Sequence, residues 1–172
     1  MNPMFANIGI IVGIIVLPAT LLYVFGSFQP ERHTSTIAFM LPQPPAVVWP
    51  ALTDYTAMPQ WWPAVKKVHF ETRTDGQIIT WNTGKHGKEI GFRTIEEKAP
   101  TRLVREIVGN DLPFGGTWTY SLAAEQATTR LTLTEDGFIK SPFLRAIAKL
   151  FLKPDTTMRD FEKNFTVYME KK

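Results

Sequence analysis

Beyond residue 33 the chain changes from one long apolar stretch to short segments in which apolar and polar residues alternate. In TSTIAFML (34–41), Ile37, Phe39 and Leu41 fall on every second position, which predicts a strand with one buried face. Pro44 and Pro45 suit the first turn of a helix that AVVWPALTD (46–54) continues, and TAMPQWW (56–62) predicts a second short helix closed by Pro63. Six further strands are expected over 65–73, 77–82, 89–98, 102–108, 115–123 and 128–138, with Asp75-Gly76 as a hairpin signature. Ser141-Pro142 reads as the N-cap and first residue of a helix with Phe143, Ile147, Leu150 and Phe151 on one stripe. Lys153-Pro154-Asp155 interrupts it, and a second segment presents Met158, Phe161, Phe165 and Tyr168. The order is one strand, two small helices, six antiparallel strands and a long amphipathic C-terminal helix. This is an α+β pattern in which a seven-stranded sheet curls around one helix and leaves room for a cavity.

The N-terminal stretch follows a different rule. No charged side chain occurs from Met1 to Pro30, and Ile8 to Phe28 would cross a hydrocarbon core of about 30 Å as a helix. Thirteen Ile, Leu, Val or Phe residues in it favour insertion by roughly 4 to 8 kcal/mol in total. The segment before it lacks the positive charge of a secretory signal. The expectation is one transmembrane helix over residues 5–28, a polar linker over 29–33 and one domain over 34–172. The chain then reads as a single-pass membrane protein. Only the α-amino group and Arg32 flank the span, so they leave its orientation open. Gly9 and Gly13 form a GxxxG pair, a weak helix-pairing motif.

Composition narrows the chemistry. With 44% hydrophobic and 20% charged residues the chain is globular, and its net charge of +3 is spread without a basic stripe, which argues against nucleic acid. Absence of cysteine removes disulfides and thiolate nucleophiles. No His, Asp or Glu set stands at metal-ligand spacing, and no Gly-x-Ser-x-Gly or phosphate-binding glycine loop is present. Neither a metal nor a cofactor is expected, and no catalytic set is assigned.

VVWPALTDYTAMPQWWPAV (47–65), LVREI (103–107), DLPFGGTWTYSL (111–122) and RLTLTEDGFIKSPFLRAIAKLF (130–151) together resemble, in order, the SRPBCC superfamily of START and polyketide-cyclase-like proteins. The resemblance implies a helix-grip fold in which the first helix pair closes one end of a cavity and the C-terminal helix forms its lid or floor. Members of that superfamily include lipid carriers, hormone binders and aromatic cyclases.

Alternation within the strands selects residues for the interior. Trp118 and Tyr120 lie opposite Thr117, Thr119 and Ser121, Arg105 shares a face with Leu103 and Ile107, and Glu135 shares one with Leu131 and Leu133. If the strands pair as successive hairpins, Arg105 and Glu135 could approach each other across the central strand. They would then form either a polar anchor for a ligand or a buried ion pair. Trp81, beside Ile79 in alternation, and Phe92, beside Ile90, are candidates to line the cavity or simply to pack a core. Trp49 should pack inward, with one of Trp61 and Trp62 at the cavity rim and the other outside; Trp61 is counted among the ligand-binding candidates. These residues suit a membrane-anchored binding protein for a hydrophobic small molecule or lipid. Two alternatives are a polyketide cyclase/dehydratase-like enzyme using Glu135 with Tyr120 or Arg105, and a structural or stress-related envelope protein. No cluster beyond that trio is arranged for proton transfer, which favours binding over catalysis.

Overall fold

The computed structural model describes residues 16–109 and 112–172. A helix over residues 16–27 (α1) precedes the first strand, β1 (Arg32–Leu41). Then come α2 (Pro45–Thr53), a 3₁₀ turn (Tyr55–Ala57) and α3 (Met58–Trp61). Six strands follow: β2 (Lys67–Thr72), β3 (Ile78–Thr83), β4 (Glu89–Lys98), β5 (Arg102–Val108), β6 (Phe114–Glu125) and β7 (Thr128–Ile139). Two helices close the chain, α4 (Pro142–Phe151) and α5 (Thr156–Met169).

Local chemistry accounts for these boundaries. Pro45 begins α2, where a missing N–H costs nothing. The Ser141 hydroxyl accepts the Leu144 N–H at the start of α4. At the β2–β3 turn, Gly76 adopts φ +81° and Asp75 accepts the Gln77 N–H, so the expected hairpin forms. The sheet is antiparallel throughout, in the order β1-β7-β6-β5-β4-β3-β2. Its register places Ile37 opposite Leu133 and Leu133 opposite Tyr120, which builds a continuous apolar stripe on the inward face. Against this face lie α2, α3 and α5, with Met158, Phe161, Phe165 and Met169 of α5 fully buried. The result is the helix-grip arrangement that the resemblance implied.

The membrane-spanning expectation is corrected. Among the described residues no helix is long and apolar enough to cross a membrane. The described C-terminal part of the expected span is the helix over residues 16–27. Its end is instead docked on α4. A Cβ at Gly26 would lie 1.8 Å from the Pro142 carbonyl oxygen, so only glycine permits this approach. The Arg145 guanidinium locks the junction, donating to the carbonyls of Gly26 at 3.0 Å, Ile139 at 3.0 Å and Lys140 at 3.1 Å. The remainder of the expected span, residues 5–15 with the Gly9/Gly13 pair, lies outside the described residues.

Candidate ligand-binding site

The inward face of the sheet has two unlike halves. Beneath α5, Phe161 is an aromatic hub, with ring centres 5.5 Å from Trp62, 5.6 Å from Trp61, 5.7 Å from Tyr120 and 5.2 Å from Phe165. Most of these contacts are edge-to-face, the orientation that the ring quadrupole favours. Trp118 packs beside Tyr120, and every member of the cluster is buried. The Trp62 indole N–H donates to Asp160 at 2.7 Å and ties α3 to α5. Both Trp61 and Trp62 are therefore interior, whereas the sequence suggested that one faced outward. Trp49 packs inward as expected.

Across β3, β4 and β5 the inward face is less covered. The ladder sets Phe70, Thr80, Phe92 and Ile107 side by side, one from each of β2 to β5. Phe70 is exposed, while Phe92, Ile107 and the overlying Tyr55 are half-buried. These side chains form an apolar rim that solvent reaches. Asp54 shapes the turn that carries Tyr55: its carboxylate accepts the Ala57 N–H at 3.3 Å and the Thr56 hydroxyl at 2.5 Å. Asp54 thus caps the 3₁₀ turn.

Behind the rim sits Arg105, only 3% exposed. Its guanidinium carbon lies 3.9 Å from the Tyr55 ring centre and 4.9 Å from that of Phe92. Such stacking is favourable, and more so when the cation is desolvated. Yet its Nε and Nη2 have no hydrogen-bond partner. Burial lowers the Arg105 pKa, with Tyr55 and Tyr120 partly offsetting it, but an arginine remains protonated under such pressure.

The anticipated register is present: Arg105 pairs with Trp118, and Trp118 pairs with Glu135. The approach between the two charged groups is not. Trp118 stands between their strands on the same face, and among the described residues no acidic group lies within ion-pair distance of Arg105. Glu135 is half-buried, and burial lifts its carboxyl above the usual carboxylate range against the opposing pull of Trp118 and His33. Desolvation also pushes the Tyr120 hydroxyl far above its ordinary value, so it is a proton donor and not a base.

Trp81 needs correcting as a lining residue. It does share a face with Ile79, but pairing with His69 and Gly91 puts that face on the outside of the sheet. There its indole N–H donates to Glu71 at 2.6 Å and its ring stacks on His69. The neighbouring Asn82 points inward instead, 8% exposed, with Nδ2 3.9 Å from the Met58 sulfur and Oδ1 unpaired. Asn82, Phe70 and Tyr55 were missed in the sequence. Alternation against Trp81 could have identified the first; nothing local marks Tyr55.

A separate recess of about 330 Å³ opens at the ends of β5, β6 and β7, bordered by Arg73, Ile107, Leu112, Phe114, Phe138 and Lys140.

Comparison with known proteins agrees with this architecture. A family described as polyketide cyclase/dehydrase and lipid transport matches residues 32–170. A START superfamily protein from Mycobacterium smegmatis is similar with a TM-score of 0.59 at 17% identity, covering 81% of this chain and 98% of that one. The Zhui aromatase/cyclase from Streptomyces sp. R1128 gives a TM-score of 0.62 at 12% identity, over 81% and 94% of the two chains. A norcoclaurine synthase point mutant from Thalictrum flavum gives 0.61 at 12% identity, over 83% and 98%. At such identities the likeness establishes the fold alone. A search of curated protein sequences found no match. The match from Arg32 to Glu170, over a sheet that grips its C-terminal helix, shows that the chain belongs to the polyketide cyclase/dehydrase and lipid transport family.

Proposed function

We propose that the protein binds a hydrophobic small molecule or lipid inside the grip, entering past Tyr55, Phe70, Phe92 and Ile107 and turning its polar end toward Arg105. One observation carries this reading: a protonated side chain is buried behind an apolar, half-open rim with two of its donors unpaired. Leaving buried donors unsatisfied is costly in a folded protein, and sites that bind apolar ligands typically hold a few such groups within apolar walls. The aromatic hub under α5 forms the back of the site, and the half-covered region over β3 to β5 forms its mouth.

An enzyme reading has one observation in its favour, the raised carboxyl of Glu135. Against it, Trp118 separates Glu135 from Arg105, and Tyr120 holds its proton too tightly to act as a base. Binding is the better-supported function.

Native mass spectrometry of the purified protein tests it directly. The expected spectrum contains a population heavier by one small molecule, which organic extraction recovers as an apolar compound. A single ligand-free species, together with no thermal shift across a panel of lipids and apolar metabolites, would count against the reading.

A further inference from the structure

Resting on that reading, the geometry points to the chemical class of the ligand: we propose that it is an amphipathic carboxylic acid whose carboxylate docks side-on against Nε and Nη2 of Arg105. The two free nitrogens carry the argument. In a planar guanidinium, Nε–H and the adjacent Nη2–H point the same way and form a fork whose spacing matches the two oxygens of a carboxylate. Tyr55 and Phe92, at 3.9 and 4.9 Å from the guanidinium carbon, lie against the group through their rings and supply no partner to this edge, which is buried with both nitrogens unpaired. A neutral carbonyl or hydroxyl could accept hydrogen bonds here but would leave the buried charge uncompensated.

Charge balance leads to the same class. The register places two carboxylates on the inward face within two strands of Arg105, the exposed Glu97 opposite Leu103 and the half-buried Glu135 beyond Trp118, and neither forms an ion pair with it. Tyr120 stays neutral. The protein shows what a satisfied arginine looks like elsewhere. Arg145, also largely buried, donates to three backbone carbonyls and has Glu31 at 3.8 Å. Arg105 has no comparable set, so its missing partner is an anion supplied from outside. The apolar rim of Tyr55, Phe70, Phe92 and Ile107 suits the hydrocarbon part of the same molecule.

The test is isothermal titration of dodecanoate, methyl dodecanoate and dodecan-1-ol into the wild-type protein and into Arg105→Met, which keeps the length and apolar stem of the side chain. Wild type should bind the acid at least fivefold more tightly than the ester or the alcohol. Arg105→Met should bind all three alike, and its far-UV circular dichroism and cooperative thermal unfolding, matched to wild type, show that the variant is folded. A smaller preference in wild type overturns the carboxylate while leaving hydrophobic binding intact. An acid preference that survives in Arg105→Met overturns the role of Arg105. If none of the three binds wild type, hydrophobic binding itself falls, and the carboxylate with it.

Discussion

The two halves of the interior are built from similar residues and differ in how completely those residues are satisfied. Beneath α5, Phe161 touches rings on several sides, Trp62 has a carboxylate for its N–H, the neutral Trp61 indole N–H is left unpaired, and the side chains are closed to solvent. Over β3 to β5, Phe92 and Ile107 are half-covered, and Arg105 and Asn82 keep unpaired polar atoms. The closed half leaves one neutral donor unpaired within close ring packing, whereas the open half leaves a buried charge and an amide oxygen unpaired beside a rim that solvent reaches, which is what the proposed ligand would answer. The comparison predicts that substitutions in the closed half act on stability and those in the open half act on binding.

The largest expected effect tests this division. Phe161→Ala should destabilise the protein by about 3 to 5 kcal/mol, the cost of emptying a fully buried ring site. Phe92→Ala should cost only about 1 to 2 kcal/mol because much of its surface is already wet. Urea denaturation midpoints would measure both, and equal losses would show that the open half is core after all.

A smaller effect addresses the boundary between the halves. Trp62→Phe retains the ring and removes the indole donor to Asp160, for an expected loss of about 1 kcal/mol. The tie between α3 and α5 should loosen, so the on-rate of an apolar fluorescent probe should rise in stopped-flow measurements. A probe that enters no faster would place the route away from α3.

Much of this division was legible in the sequence where strand periodicity is strict. Arg105, Trp118 and Glu135 were placed on one face and in neighbouring strands by alternation alone, and their register follows that reading. What alternation does not specify is which face of a peripheral strand is the inner one when both carry apolar residues. Ile79 is buried at 1% on the outer face, so its pairing with Trp81 in the pattern pointed to the wrong side. Side-chain volume was likewise invisible: the bulk of Trp118 keeps Arg105 from Glu135 even though their strands stand as expected. Tyr55 reaches Arg105 from a 3₁₀ turn whose direction is set by the Asp54 cap, a tertiary outcome with no periodic signature. Thirty residues without a charged side chain suggested a membrane span, yet the described part of that stretch ends in a glycine contact with α4.

The smallest effect concerns Glu135, which lies at the back of the polar region and is only half-buried. Its carboxyl is raised in the folded protein, chiefly by desolvation, so between the unfolded and folded values the native state holds more protons than the unfolded one. Stability conferred by the protonated acid is therefore fully present below the unfolded carboxyl value near 4.5 and is lost as pH rises through the folded value. Glu135→Gln removes that dependence. At neutral pH the variant should be as stable as wild type or more stable, by less than about 1 kcal/mol because solvent screens a half-exposed group. The gap should close as the pH falls toward 4, and thermal unfolding across that range measures it. If binding of dodecanoate is unchanged in this variant, Glu135 is a bystander and Arg105 alone defines the polar end of the site. If dodecanoate instead binds more tightly, the Glu135 carboxylate repels the ligand across Trp118, and the two halves of the interior are coupled by charge.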